Sequence, residues 1–353
     1  MHPAADGRLA RVRTPGGLVT RGQLHALAAA ARELGSGRLE LTSRGNVQLR
    51  GLRAGAEDEL GNRLAGAGLL PSATHERVRN IVASPLAGLD APVPLAATVD
   101  ALDRELCARL ALADLPGRFL FALDDGRGDV AALGADVTAI VRPGGGVVEG
   151  FAVADVPAAM LAVAEAFLVE RAVQGLPAWR VDELGGGREA LRTRVQVALG
   201  ARAAAVEVPA PPPAPAGPVR QLDGRTALVV LAPLGRLTAE QIERIADEAS
   251  TARITPWRSV VIPDLDAPAG VAARLAAVGL GVDAGSRWRG VSACTGRPGC
   301  AKSLADVQAD AAAELGRWPG RVVHWSGCER RCGRPRDTSV DVVATSDGYR
   351  IDE

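Results

Sequence analysis

The chain has 353 residues, with 41 basic and 41 acidic side chains, and therefore no net charge at neutral pH. That balance gives no reason to expect nucleic acid or an anionic membrane surface as a partner, and the length suffices for two or more domains with cores of their own. The N-terminus lacks the apolar stretch of a secretory signal and no run is long enough to span a bilayer, so the expectation is a cytoplasmic protein that touches no membrane.

The first segment reads as β-α-β-β-α. Thr20 and Gln23 make a capping box, after which Leu24, Leu27, Ala28, Ala31 and Leu34 recur at helical spacing until Gly35. Short strands are expected at 39–42 and 47–49, and a second helix at 57–67 with Leu60 and Leu64 inward. The bend between the strands, Thr42-Ser43-Arg44-Gly45-Asn46-Val47-Gln48, presents an arginine whose guanidinium fork can take a carboxylate bidentately and stays charged at any working pH. A solvated turn arginine is the alternative reading.

A larger αβ block follows, opening on Arg77-Val78-Arg79-Asn80-Ile81. It contains an expected helix at 100–112, in which Cys107 is a small buried apolar group. A strand runs through Leu115-Pro116-Gly117-Arg118-Phe119-Leu120-Phe121 to an Asp-Gly turn, a helix covers 156–169, and a strand is expected at 195–199. Prolines crowd 207–218, the composition of a semi-rigid linker.

Beyond the linker the opening pattern returns. Thr238 and Gln241 form a second capping box, Ile242, Ile245 and Ala246 make an apolar face, strands are expected at 254–255 and 260–262, and a helix at 270–278. Arg258 falls in the bend that corresponds to the one holding Arg44. Two βαββα units of this kind, each with an open edge, are expected to pair in one continuous sheet.

Four of the five cysteines lie in the last segment as Cys294-x5-Cys300 and Cys328-x3-Cys332, with a helix at 302–315 and a strand at 321–325 between them. The chain thus goes out and returns, bringing the pairs to one centre. In a reducing compartment such pairs point to metal rather than to disulfides. Zinc suits the second spacing but not the first, whereas four thiolates satisfy a [4Fe-4S] cube; spacing alone leaves both open.

The motifs around these cysteines, Ala293-Cys294-Thr295-Gly296-Arg297-Pro298-Gly299-Cys300 and His324-Trp325-Ser326-Gly327-Cys328-Glu329-Arg330-Arg331-Cys332, resemble the cluster-binding motif of the nitrite and sulphite reductase superfamily, and within it the precorrin-3B synthase family. The resemblance extends over nearly the whole chain. It implies an α+β fold with a duplicated architecture: ferredoxin-like half-domains at 1–75 and 219–285, an αβ tetrapyrrole-site domain at 76–206, the linker at 207–218 and an iron-sulfur domain at 286–353. Metal ligands would be Cys294, Cys300, Cys328 and Cys332. Arg44, Gln48, Arg79, Asn80, Arg118 and Arg258 would bind the tetrapyrrole.

The family's activity is an O2- and reductant-dependent hydroxylation of precorrin-3A with lactone formation, in preparation for ring contraction in cobalamin biosynthesis. The cofactors implied are a [4Fe-4S] cluster and non-haem iron, with an electron donor such as NADH or a reductase or ferredoxin. A facial iron triad would need two histidines and a carboxylate, and only His75 and His324 are appealing candidates among four histidines. Sulphite reductases carry two lysines, one residue apart, where this chain has Arg118 and Leu120, and leucine cannot donate to an anion. The alternatives are a sirohaem-dependent sulphite or nitrite reductase and a non-enzymatic zinc-stabilised binding protein.

Overall fold

The structure, a computed structural model, describes residues 2–205, 207–335 and 337–353; the expected boundary at Val206 lies outside them. The first unit comprises β1 (His2–Ala4), β2 (Gly7–Val12), β3 (Leu18–Thr20), α1 (Arg21–Leu34), β4 (Arg38–Leu41), β5 (Val47–Leu52) and α2 (Glu57–Gly66). The block after it holds β6 (Ile81–Ala83), α3 (Ala96–Ala108), β7 (Phe121–Asp124), β8 (Val137–Arg142), β9 (Gly145–Val148), β10 (Phe151–Val153), α4 (Val156–Gln174) and α5 (Gly187–Leu199). The second unit follows as β11 (Gly217–Arg220), β12 (Thr226–Leu231), β13 (Arg236–Thr238), α6 (Ala239–Glu248), β14 (Thr251–Ile254), β15 (Ser259–Leu265) and α7 (Pro268–Ala277). The last segment carries β16 (Val291–Ala293), α8 (Val307–Ala313), β17 (Val323–Ser326), β18 (Val340–Thr345) and β19 (Gly348–Asp352).

Both capping boxes form, each with a threonine side chain accepting from the N3 amide and a glutamine reaching back to the cap amide. The apolar faces they launch, Leu24, Leu27, Ala31 and Leu34 on α1 and Ile242, Ile245 and Ala246 on α6, meet in one core shared by the two units. Burying each such Leu or Ile contributes about 2 kcal/mol.

The units do not pair edge to edge in a single continuous sheet. They form two five-stranded sheets, β1-β2-β5-β4-β13 and β11-β12-β15-β14-β3, each completed by a strand from the other unit. β13 lies against β4 and β3 against β14, both antiparallel. The exchange covers the edges that either unit alone would expose, and it binds the halves by backbone hydrogen bonds as well as by the shared core.

The two αβ parts repeat in the same sense. In the first, β6, β7 and β8 are parallel and β9 antiparallel; in the last, β16, β17 and β18 are parallel and β19 antiparallel. Residues 187–199, expected to include a strand, form α5 with Leu191 and Val195 buried one turn apart. A short apolar run reads equally well as either element without its partners. The helix expected at 302–315 is confined to α8, because Ser303 and Leu304 bond instead to Cys300 and Gly327.

Candidate active site

Strand alternation on β2 and β5 turns Val12, Val47 and Leu49 into the core and puts Arg11, Arg13, Gln48 and Arg50 on the opposite face. That face is one wall of a cavity of about 540 Å³. Arg44, Asn80 and Arg118 line it from the first half, Leu234, Arg236 and Arg258 from the second unit, and Cys294, Gln308 and Cys332 from the last segment. Among the described residues seven arginines face it and one carboxylate, Glu40. Glu40 is already engaged, 2.6 Å from Arg236 Nη2 and accepting from Gln48 Nε2 at 2.7 Å.

Arg50 is paired with Asp6, but Arg13 and Arg44 have no carboxylate in an ion pair with them among the described residues. Arg13 is 8% exposed, its Nε has no partner, and desolvation pulls its pKa to about 10. Arg44 is pulled to about 10 by burial and then by Arg180. Both stay protonated at neutral pH, so the cavity is a preformed receptor for several carboxylates. Arg118 stands at the rim, 59% exposed and 3.8 Å from Glu183.

The cysteine loops interlock beside this wall. Cys294 Nα donates to the Trp325 carbonyl, and Gly327 Nα donates to Cys294 Sγ at 3.1 Å. A Cβ on Gly327 would lie 1.9 Å from Ser303 Oγ, so only glycine lets the second loop close on the first. The charges at 329–331 are held away from the thiols: Glu329 pairs with Arg350, and Arg331 with Asp352, each at 2.6 Å. Tetrahedral zinc puts its sulfurs about 3.8 Å apart. Among the described residues no three of these sulfurs share a 4.8 Å neighbourhood; a cube gives each thiolate an iron of its own.

The "Nitrite/Sulfite reductase ferredoxin-like half domain" family matches residues 2–67 and 219–277, the two units that exchange strands. A ferredoxin--nitrite reductase of Synechococcus elongatus is 28% identical over 99% of this chain and 80% of its own length. A precorrin-3B synthase of Sinorhizobium sp is also 28% identical, over 98% and 79%. The NirA protein of Mycobacterium tuberculosis shares the fold, with a TM-score of 0.79 and 23% identity over 97% of this chain and 73% of that one. The chain is thus similar over nearly its whole length to members of the nitrite/sulphite reductase superfamily. These relatives are oxidoreductases and the chain is an enzyme of that kind; among the described residues no helix is long and apolar enough to cross a membrane.

The bend beside this cavity has an equivalent in the second unit. The bends Thr42–Asn46 and Thr255–Ser259 have the same hydrogen bonds, with Thr42 Nα to Asn46 O matched by Thr255 Nα to Ser259 O. In that register the counterpart of Arg44 is Trp257. Arg258 matches Gly45, and both are left-handed, at φ 59° and 64°. The expected correspondence of the two bends holds, with Arg258 one residue out of register with Arg44. The strand pair Arg11 and Gln48 is matched by Val229 and Val261, which pack on Leu86 and Leu89. Trp257 packs with Val82, Leu120 and Val130, so the space beside the second bend is filled.

The cysteine site has a counterpart as well. Ser84 Nα bonds Leu123 O, and Asp125 Nα bonds Ser84 Oγ at 3.2 Å, repeating the bonds of Cys294. Asp90 stands six residues on, where Cys300 would be, and Arg127 bridges Asp90 and Asp125 at 2.7 Å each. The carboxylates of Asp124, Asp125 and Asp129 cluster here. Asp124 is occupied by the amides of Gly126, Gly128, Val130 and Ala131, and Arg127 supplies the positive charge.

Of the residues expected at the tetrapyrrole, Arg44, Gln48, Asn80, Arg118 and Arg258 line the cavity. Arg79 does not. It is 3% exposed and forms a two-bond pair with Asp103 at 2.6 and 2.7 Å. Asp103→Ala should leave that guanidinium buried and unpaired, lowering stability by about 3 kcal/mol. Chemical denaturation checks this; an unchanged midpoint would put Arg79 in a different environment.

The histidines do not furnish an iron triad in the cavity. His75 is buried between Ser72, Thr74 and the Arg109 carbonyl. His324 is buried with Nδ1 2.9 Å from Ser292 Oγ, and desolvation, then Arg258, pushes it down to about 4, leaving it neutral. Neither lines the cavity, and its only carboxylate among the described residues is tied to Arg236. Two His and one carboxylate for non-haem iron are not assembled there, and no step is derived through such an iron. Arg11, Arg13, Arg50 and Arg236 were not singled out from the sequence. The signal for the first three was alternation: charged residues at i and i+2 opposite a buried apolar face.

Proposed function

We propose that this chain is a precorrin-3B synthase-type monooxygenase that holds a polycarboxylate tetrapyrrole in the arginine-lined cavity. The observation that carries the reading is the cavity wall, which among the described residues has seven arginines and no lysine; Leu120, at the position where sulphite reductases present a second lysine, is buried outside that wall against Val82 and Ala122. Anion chemistry loses its donor while carboxylate recognition keeps its arginines.

Four thiols, a glycine-closed loop and a sulfur that accepts from a backbone amide suit a [4Fe-4S] cluster held by Cys294, Cys300, Cys328 and Cys332. When bound, the cluster supplies electrons one at a time, drawn from a donor such as a ferredoxin or an NADH-linked reductase. Arg13 and Arg44 take rim carboxylates, Asn80 sets the floor through bonds to the Arg77 and Gly117 carbonyls, and Leu41 and Leu234 meet the apolar edge of the ring. In balance, one atom of O2 enters precorrin-3A, and the other leaves as water with two electrons and two protons.

The second reading is a sirohaem reductase, favoured by Cys332, which lines the cavity with Cys294 and could link a tetrapyrrole iron to a cluster. Incubating the anaerobically purified protein with precorrin-3A, reductant and 18O2 separates the two. A product heavier by one labelled oxygen, from protein without a Soret band, is expected. A Soret band with nitrite or sulphite consumption and no label in the tetrapyrrole would overturn the synthase reading.

A further inference from the structure

Two arginines, one from each ferredoxin-like unit, reach the cysteine loops from outside. Arg50 on β5 is 8% exposed. It donates to the two Asp6 oxygens at 3.1 and 3.0 Å, and the same Nη2 donates to the Gly299 carbonyl at 2.7 Å. Gly299 immediately precedes Cys300. A Cβ there would lie 3.0 Å from Asp6 Oδ2 and 3.3 Å from Arg50 Nη2, so the loop backbone rests directly on the ion pair. Arg258, held at φ 59°, donates to the Gly333 carbonyl at 2.9 Å, next to Cys332.

We propose that Asp6 and Arg50 form a latch that positions the Cys294–Cys300 loop, with Arg258 doing the same for the Cys328–Cys332 loop. Asp6 orients the guanidinium so that one N–H remains aimed at Gly299, a charge-assisted bond from a group with little freedom to move. Three segments distant in sequence meet at this carbonyl: the β1–β2 turn, β5 and the cysteine loop. The first unit therefore fixes Cys300 while the second fixes Cys332, and a cluster bridging the loops would be set by both. Arg50 is a positioning residue, and its guanidinium also favours the more negative, reduced form of such a cluster.

The inference rests on the cluster reading of the cysteines, and the test lets the two fail separately. In the chelator-treated full chain, alkylation of each cysteine by iodoacetamide is followed by peptide mass mapping. Arg50→Gln and Asp6→Asn should speed modification of Cys300 about tenfold, leaving Cys332 unchanged. Removing a nearby cation by itself would disfavour the thiolate and slow the reaction, so acceleration reports a freed loop. Gly299→Ala, which alters no charge, should accelerate it likewise and covers the case in which Arg50→Gln does not fold. In the iron-loaded chain the Arg50→Gln cluster should be lost faster to an iron chelator and have a lower midpoint potential, which Arg50→Lys partly restores. Wild-type Cys300 alkylation in all the folded variants overturns the latch. A wild-type chain that takes up no iron and sulfide overturns the cluster reading, while the alkylation result still decides the latch.

Discussion

Cys328→Ser should purify without iron or sulfide and with activity lowered by more than about a hundredfold, since loss of an outer partner alone costs 10–100-fold at metal sites. The residue stands one position after Gly327, whose amide bonds Cys294 Sγ and whose missing side chain lets the loops close. Serine preserves this backbone arrangement and nearly the same volume, so the change isolates the ligand. A free hydroxyl is not deprotonated at neutral pH and is a far poorer iron ligand than a thiolate. Iron and sulfide analysis with the visible spectrum checks the result. Cys107→Ser is the control: that thiol is half-buried on α3, far from the paired cysteines in sequence, and pushed up by burial and Asp103. Full iron and sulfide in Cys328→Ser would remove Cys328 from the ligand set.

The parts of this molecule that were legible in the sequence are those decided within a few residues. The capping boxes at Thr20 and Thr238 and the apolar faces of α1 and α6 are local patterns, and the structure reproduces them. The first cysteine loop was legible for the same reason, because Gly296, Pro298 and Gly299 between Cys294 and Cys300 mark where the chain turns. The exchange of β3 and β13 was not, since a three-residue strand carries no mark of its partner. The correspondence of the two bends was legible, but their register was not: the hydrogen bonds set Arg258, at a left-handed position that favours glycine, against Gly45. Arg79 was misplaced for a different cause: its motif was present, but Asp103, 24 residues later on α3, claims its guanidinium.

Arg44→Ala should weaken tetrapyrrole binding about tenfold to a hundredfold, the range for one charge-assisted hydrogen-bonded group, with the iron content unchanged. Arg44 projects from the Thr42–Asn46 bend, whose backbone is fixed by Thr42 Oγ1 and by Gly45, and the loss of its side chain leaves those bonds in place. Arg13→Ala should have an effect of similar size, because the guanidinium it deletes is buried at the cavity wall with an unpartnered Nε. Arg13 is among the cations that lower the affinity of Arg44 for its proton, so a carboxylate bound between them relieves that repulsion. The double variant should therefore lose less than the sum of the singles. Arg44→Lys should recover only part of the affinity, since an ammonium provides charge without the planar fork. Binding followed by absorbance at several salt concentrations checks the electrostatic origin: the wild-type affinity should fall with salt more steeply than that of either variant. Unchanged affinity in Arg44→Ala would mean that the carboxylates lie elsewhere on the wall, and the contrast with Asp103→Ala, which should cost stability and not affinity, tells a lost contact from a loosened fold.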